Sequence, residues 1–312
     1  MKPISGGSVR EAELPAVGDV TRPSAFAGSE TPLAQAVRRL RRSTTALVGA
    51  AIVAILLIVA IFADALAPMS PIASDQTQTF ARPSWEHPLG TDQLGRDMLS
   101  RVIHGTRISL LVGVSSVVLA LFVGVPFGLI AGYYGGRVDT SIMRVMDLIL
   151  AFPIYLLAII LMIIFTPTAG LIGTMKVTGA IAIVRIPIYA RLVRGSVLSI
   201  KEKEYIEACR ALGVRDPWIL FRHVLPNCLA PIIVTTTLGI ATSIIVEATL
   251  SFLGLGTQPP TPSWGWDLKA NVAFIQANLW LSLFPGLAIF LTVLGFNLFG
   301  DGLRDALDPR LK

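Results

Sequence analysis

The sequence predicts an all-α membrane protein with six transmembrane helices. Hydrophobic residues make up 53% of its 312 residues and charged residues only 15%, where roughly 25% charged is usual in soluble domains. Mean hydropathy is +0.69. A soluble domain of this composition would lack the polar residues needed to cover its surface. These figures exclude a disordered chain, a collagen-like chain and an ordinary soluble enzyme.

Long runs without charged residues predict five of the spans. A helix needs about 20 residues to cross the hydrocarbon layer, and five runs reach that length: Ser43–Ala63, Ile108–Gly136, Leu148–Met175, Val224–Val246 and Ala270–Gly300. None has the alternation of a membrane barrel strand. The longer runs exceed one span, so they must include loop or interfacial residues.

The distribution of basic residues predicts a sixth span. Val177–Ala190 is apolar but carries Arg185 and Pro187. With six spans and the N-terminus inside, 19 Lys and Arg residues lie inside and 6 outside, whereas five spans would put 10 inside and 16 outside. Basic residues concentrate on the cytoplasmic side of membrane proteins. We therefore expect both termini in the cytoplasm, with Arg185 reaching toward the inner surface.

The chain is predicted to divide into three parts. Residues 1–37 are rich in Gly, Pro, Ser and Glu without periodicity, which predicts a disordered cytoplasmic tail. Residues 38–107 would hold the first span and an extracytoplasmic loop. Residues 108–312 would form the core domain, with a polar cytoplasmic loop over residues 191–228.

That loop predicts a helix, a tight turn and a second helix lying on the inner face of the membrane. Glu202–Leu212 has an amphipathic pattern of about three turns, with four apolar or small residues at helical spacing: Tyr205, Ala208, Cys209 and Leu212. Gly213 would stop this helix. Asp216 would cap the next helix, and Pro217 would take its first position. An ordinary interfacial helix pair fits this pattern too, but a DNA-binding helix-turn-helix does not fit a segment held between two spans.

The same loop resembles the "EAA" loop of the permeases of binding-protein-dependent ABC importers. Glu207-Ala208-Cys209 is followed by Gly213, and Leu225-Pro226 comes at the spacing of that motif. Cys209 stands where the family usually has alanine, and His223 where it usually has isoleucine. In that family the loop forms a coupling helix that inserts into an ATPase subunit.

Further motifs in the same order resemble the "C" permeases of dipeptide, oligopeptide and nickel importers. They are His87–Asp97 before the second span, Arg144–Pro153 at the start of the third, Glu247–Gly256 with Pro259–Gly265 at the end of the fifth, and Gly300–Arg310 at the C-terminus. The similarity covers roughly residues 38–312.

The resemblance implies the type I importer fold, a place in the bacterial inner membrane, and a set of partners. These are a homologous permease in a heterodimer, two ATP-binding subunits and an extracytoplasmic substrate-binding protein, with no nucleic acid. The coupling residues it implies lie in one loop: Tyr205, Glu207, Ala208, Cys209, Leu212, Gly213, Asp216, Pro217, Trp218, Phe221, Leu225 and Pro226.

Catalytic and cofactor motifs are missing from the sequence. It has no phosphate-binding Gly-x-x-x-x-Gly-Lys-Ser/Thr motif, so ATP and Mg²⁺ would be bound by the partner ATPases. An ATP-independent channel or carrier would lack that motif as well. No metal-ligand spacing occurs among its three histidines and two cysteines. We therefore expect a non-enzymatic permease that binds no cofactor.

Three ionisable residues in or near the spans are candidates for the translocation path or for polar contacts between helices: Glu247, Asp147 and Arg185. A rival of another class is an intramembrane aspartyl protease that uses Asp147 and Asp301 as a dyad. Nearby Arg144 and Arg304 favour ion pairs instead. The expected cargo is di- or oligopeptides, with nickel, glutathione or another small solute as the alternative.

Overall fold

The computed structural model describes residues 38–307. The predicted disordered tail at 1–37 and the end of the C-terminal motif at 308–312 lie outside the described residues. From Thr44 onward the helices are α1 (Thr44–Ile61), α2 (Ala63–Leu66), α3 (Met98–Tyr134), α4 (Gly136–Leu150), α5 (Ile154–Phe165), α6 (Gly170–Ile200), α7 (Glu204–Ala211), α8 (Asp216–Ile219), α9 (Leu225–Phe252), α10 (Trp264–Asn271) and α11 (Trp280–Leu307).

The predicted number of spans agrees with the described part of the chain. Within residues 38–307, five helices are long and apolar enough to cross a membrane, and the bent pair α4–α5 makes a sixth candidate. The weakest predicted span, Val177–Ala190, lies inside the 31-residue helix α6. Arg185 and Pro187 therefore do not interrupt that helix.

The third span is where the predicted boundaries were wrong. Leu148–Met175 was predicted as one run, but α4 ends at Leu150, α5 occupies Ile154–Phe165, and their axes meet at 89°. Pro153 starts α5, and a second break before Gly170, whose φ is +69°, separates α5 from α6. Hydropathy measures apolarity but takes no account of the proline and glycine that break the helix. The 12-residue α5 is about 18 Å long, less than the ~30 Å hydrocarbon layer.

Two other spans have different ends from those predicted. Helix α3 begins at Met98, ten residues before Ile108, because Asp97 caps it by accepting a hydrogen bond from the Ser100 N–H at 2.8 Å. The last span was predicted from Ala270, but α11 begins only at Trp280. The intervening residues belong to α10, a short 3₁₀ turn and a loop.

Glycines allow the helices at the centre of the bundle to approach closely. Helices α3 and α6 form the largest helix–helix interface of the described residues. Gly124, Gly128 and Gly132 recur every fourth residue on the α3 side of this interface, and a Cβ at Gly128 would lie 2.5 Å from the Ala190 carbonyl oxygen. Small residues at this spacing let helix backbones meet in lipid, where association depends on packing.

A second close crossing joins α1 to α11. A Cβ at Gly49 would lie 2.3 Å from the Phe299 backbone nitrogen, and one at Gly302 would lie 2.3 Å from the Ala46 Cβ. The first span is thereby packed against the last, although more than 200 residues separate them in the sequence. Helices α3, α6 and α9 form the centre of the bundle and carry most of the buried residues.

Candidate functional site

The segment between α6 and α9, residues 201–224, is the candidate coupling loop. Its first helix, α7, has two turns rather than the three predicted. The Gly213 N–H bonds to the Arg210 carbonyl at 2.9 Å, and the Val214 N–H bonds to the Cys209 carbonyl at 3.1 Å. This is a Schellman stop with Gly213 at φ +74°. The predicted glycine stop is confirmed.

The second half of the loop differs from the predicted flat helix. Arg215 is the N-cap of α8, so Asp216 takes the first helical position rather than the cap. A π-helical segment, Leu220–Val224, then continues directly into α9. The turn after Gly213 is therefore connected without a break to the fifth span, because no loop separates α8 from α9.

Buried aliphatic side chains fix the loop to the bundle. Ile206 and Ile219 have no exposed surface, and they pack with Val193 and Val197 of α6 and with Leu129 of α3. Burial of such a side chain stabilises by about 1.5–3 kcal/mol. These contacts fix the loop to the ends of α3 and α6.

Tyr133, at the end of α3, joins the two halves of the loop. Its hydroxyl donates a hydrogen bond to Asp216 Oδ1 at 2.7 Å, and the Arg210 guanidinium lies 4.9 Å from its ring centroid. Lys201 Nζ also donates to the Gly132 carbonyl at 3.0 Å. One residue of α3 therefore contacts α7 and α8 together, by a hydrogen bond and a cation–π contact.

Large apolar side chains of the loop are exposed among its charged residues. Four of them, called here the loop face, have exposed fractions of 40% for Tyr205, 83% for Leu212, 61% for Trp218 and 67% for Phe221. Of the other predicted coupling residues, Glu207, Ala208, Gly213, Pro217 and Pro226 are exposed, and Cys209, Asp216 and Leu225 are half-buried. None of the twelve is buried. Because the loop connects two spans and does not itself cross the membrane, these exposed apolar side chains make it a candidate interaction site.

Sequence reasoning missed the residues that hold the loop in place. Ile206 lies outside the apolar spacing that runs through Tyr205 and Leu212, although its position beside Cys209 on the helix was a usable signal. Tyr133 gives no local signal, because it lies 83 positions before its partner Asp216.

Glu247 is fully buried near the end of α9 that is far from the loop. Its carboxylate accepts hydrogen bonds from Ser251 at 2.8 Å, from Ser263 at 3.0 Å and from Ser109 at 3.4 Å. These hydroxyls come from α9, from the segment before α10 and from α3. Buried polar groups need such partners, so the carboxylate connects three parts of the fold.

Asp147 lies in a different environment from the one predicted. It is exposed and forms an ion pair with Arg191 of α6 rather than with Arg144. Nearby, Arg194 donates to both oxygens of Asp139 at 2.6 Å. These two pairs join α4 to α6. Asp301, the second member of the rival protease dyad, is exposed on α11, so neither carboxylate has the buried, shared-proton setting of such a dyad.

Arg185 is buried at the middle of α6. Its Nη2 donates to the Thr242 hydroxyl of α9, so the guanidinium points across to a neighbouring helix instead of toward a helix end. Arg185 and Thr242 line a cavity of about 170 Å³ together with five aliphatic side chains of α5, α6 and α9.

The end of the bundle far from the loop is held by ion pairs. Arg101 and Asp267 are both 1% exposed, and Arg101 Nε donates to Asp267 Oδ1 at 2.7 Å. The Arg107 guanidinium at 3.0 Å, followed by His104 at 3.2 Å, holds the pKa of the Asp64 carboxyl below its usual value. These contacts fix α2 and α10 against the start of α3.

Comparison with known proteins places this geometry in a family. Residues 124–312 match the family model for the inner membrane component of binding-protein-dependent transport systems. Residues 31–83 match the N-terminal transmembrane domain of oligopeptide transport permease C. The chain belongs to the family of binding-protein-dependent transport permeases. The permease is thus a non-catalytic, multi-pass protein of the bacterial inner membrane.

Individual relatives cover nearly the whole permease. It is 48% identical over 288 residues to the dipeptide transport system permease protein DppC of Escherichia coli K12, covering 90% of this chain and 94% of the relative. DppC of Alkalihalophilus pseudofirmus is 46% identical, covering 90% and 91%. The glutathione transport system permease protein GsiD of Pectobacterium atrosepticum is also 46% identical, covering 90% and 92%.

A solved structure supports the fold. A chain of the methionine ABC transporter MetNI, in inward-facing conformations, superposes with a TM-score of 0.55 at 18% identity, covering 68% of the permease and 98% of that chain. The permease therefore has the type I importer fold that the sequence predicted.

Proposed function

We propose that this permease forms, with a homologous permease, the path by which di- and oligopeptides enter the cell. Two ATP-binding subunits would drive transport from inside, and a binding protein would deliver the peptide from outside. The observation that carries the proposal is the coupling loop, which has a packed inner side and an apolar, exposed loop face. The peptide cargo rests on the similarity to the DppC proteins.

The loop is suited to transmit force in both directions. Ile206 and Ile219 fix it to α3 and α6, and the π segment continues into α9. A partner that binds Leu212, Trp218 and Phe221 would therefore move α3, α6 and α9 together. Alternating access also requires the partner to bind the two conformations with different affinity.

The proposal includes an orientation. The loop and both termini lie in the cytoplasm, where seven Lys and Arg residues of segment 191–222 join those of the tails. The first span and an external loop then precede α3, the core begins with α3 at Met98 instead of at residue 108, and the binding protein meets the end that carries α2 and α10.

Uptake measurements in a strain lacking this gene test the proposal. Labelled dipeptides, longer peptides, glutathione and nickel are supplied, and the gene is restored on a plasmid. We expect uptake of peptides to be lost and then restored, with nickel uptake unchanged. A loss confined to glutathione or to nickel would assign the cargo to that solute instead.

Co-purification tests the motor. We expect nucleotide-hydrolysing subunits to co-purify with the wild-type permease and to be lost with Phe221→Ala. The matched control is Phe122→Ala, since Phe122 is 80% exposed but lies midway along α3. Recovery of the permease without an ATPase would favour an ATP-independent carrier.

A further inference from the structure

Arg185 is a buried cation without a counter-charge. It is only 9% exposed, and no carboxylate pairs with it anywhere in residues 38–307. Its Nε has no hydrogen-bond partner, although Nη2 is bonded to Thr242. A guanidinium has five N–H donors, and burying an unpaired charge is costly. The Arg185 guanidinium therefore lacks an anionic partner in the isolated chain.

The position of Arg185 along α6 bears on which anion could pair with it. It lies fifteen residues from each end of α6, so it is about 22 Å from either end of the helix. Lys and Arg near the membrane surface can extend their side chains toward it, but the Arg185 guanidinium is bonded to Thr242 of α9 and does not extend along α6. Charged residues within transmembrane helices face protein or a water-filled cavity rather than lipid.

The side of the bundle on which the cavity lies is not covered by the chain itself. Thr242, which accepts the hydrogen bond from Arg185, is exposed, and Ile154 of the cavity wall is 44% exposed. Gly239, one turn before Thr242, allows α9 to pack closely against Tyr189 and Arg185: a Cβ there would lie 2.5 Å from Tyr189 Oη and 3.5 Å from Arg185 Nη1. The guanidinium is thus held in place and remains within reach of a group that enters from the open side.

The cavity accepts an end group rather than a whole molecule. Its volume of about 170 Å³ is below the ~300–1,000 Å³ of pockets that enclose a drug-sized ligand. Apart from Arg185 and Thr242 its lining is aliphatic. A planar carboxylate is the group that a guanidinium binds in bidentate geometry. Every linear peptide carries one carboxylate at its C-terminus, whatever its side chains.

We infer that Arg185, assisted by Thr242, binds the terminal carboxylate of the peptide transiently as the peptide passes through the membrane. This inference rests on the proposed function as a peptide permease. Such a contact would not depend on the side chains of the peptide, because it is made to a group that all linear peptides share.

The test uses the whole transporter in proteoliposomes with its binding protein. Uptake of a dipeptide and of its C-terminal amide is measured, both at concentrations that saturate the binding protein. We expect Arg185→Gln to reduce uptake of the free acid about tenfold or more, with little effect on the amide. Arg185→Lys should keep most of the preference for the acid. The control Lys176→Gln, which removes a cation near the start of the same helix, should leave the preference unchanged.

Three results would overturn the inference. Unchanged acid uptake by Arg185→Gln would show that the guanidinium does not meet the peptide. Equal loss of acid and amide uptake, with the partner permease no longer co-purifying, would assign Arg185 to a carboxylate of that permease. Equal loss with an intact complex would make Arg185 a packing residue. Absence of peptide uptake by the wild-type transporter is a separate result, and it would contradict the proposed function itself.

Discussion

Gly213 illustrates how one backbone conformation shapes the candidate coupling loop. Its φ of +74° ends α7 and turns the chain into α8, with the exposed Leu212 before the turn and the exposed Trp218 after it. A Cβ at Gly213 would meet nothing within 4 Å, so the position demands glycine for its conformation and not for its space. The left-handed region costs other residues about 1–2 kcal/mol, and asparagine least.

We predict that Gly213→Val uncouples ATP hydrolysis from uptake while the permease stays in the membrane, because a β-branched residue strains this turn. Gly213→Asn should retain most of the coupling. The measurement is the ratio of peptide transported to ATP hydrolysed in proteoliposomes. Gly195→Val is the matched control, since its Cβ would also meet nothing, but its backbone is helical. Normal coupling in Gly213→Val would refute the role assigned to this turn.

Contacts between elements make the loop an extension of the spans. Tyr133 joins α3 to α7 and α8, and ion pairs from α4, formed by Asp147 and Asp139, hold α6 at the same end of the bundle. Along α3 and α6 the glycine row allows backbone contact. We therefore expect a displacement of the loop to move these helices, because closely packed interiors deform little.

The hydroxyl of Tyr133 gives a test of this connection. Tyr133→Phe keeps the ring beside Arg210 but removes the hydrogen bond to Asp216, a change worth about 0.5–1.5 kcal/mol. We expect a two- to tenfold lower transport-to-hydrolysis ratio with normal amounts of assembled transporter. Tyr134→Phe, on the neighbouring and half-exposed ring, is the control. An equal effect of both variants would show that Tyr133 does not transmit the movement.

The glycine row on α3 gives a stability test. At Gly128 a Cβ would lie 2.5 Å from a carbonyl oxygen of α6, whereas at Gly179 it would meet nothing. We predict that Gly128→Ala lowers the free energy of unfolding by about 1–3 kcal/mol through overpacking. Gly179→Ala should be neutral or slightly stabilising. Thermal unfolding in detergent measures both, and equal melting temperatures would contradict the close α3–α6 contact.

At the scale of the whole molecule, the two ends of the bundle are built differently. One end presents the loop face, with four large exposed apolar side chains. The other is closed by α2, α10 and ion pairs such as Arg101–Asp267. An importer needs such asymmetry, because a motor acts on one side of the membrane and a binding protein on the other.

Cysteine labelling tests the orientation. In a background of Cys209→Ser and Cys228→Ser, Glu86→Cys and Arg215→Cys place single thiols at exposed positions on opposite ends. We predict that a membrane-impermeant maleimide modifies only Glu86→Cys in intact spheroplasts. After the membrane is disrupted, Arg215→Cys should react too. The reverse pattern would put the coupling loop outside and exclude a cytoplasmic ATPase as its partner.

The sequence alone determined the class of protein, the number of spans and the position of the loop. Apolar length is a local property, and the EAA pattern and its glycine stop lie within about twenty consecutive residues. Because these signals are local, the sequence did not predict three features: the start of α3, the 89° break between α4 and α5, and the exposure of the loop face. They depend on capping, on helix breakers within apolar runs and on which face packs inward.

Only the tertiary structure decided the partners of the ionisable residues. Ser109 lies 138 positions from Glu247, Asp147 lies 44 positions from Arg191, and Thr242 lies 57 positions from Arg185. Local pattern carries no record of such pairs. They form because a buried polar group must find a donor or acceptor wherever the packed helices bring one within reach, and helix packing is a property of the whole bundle.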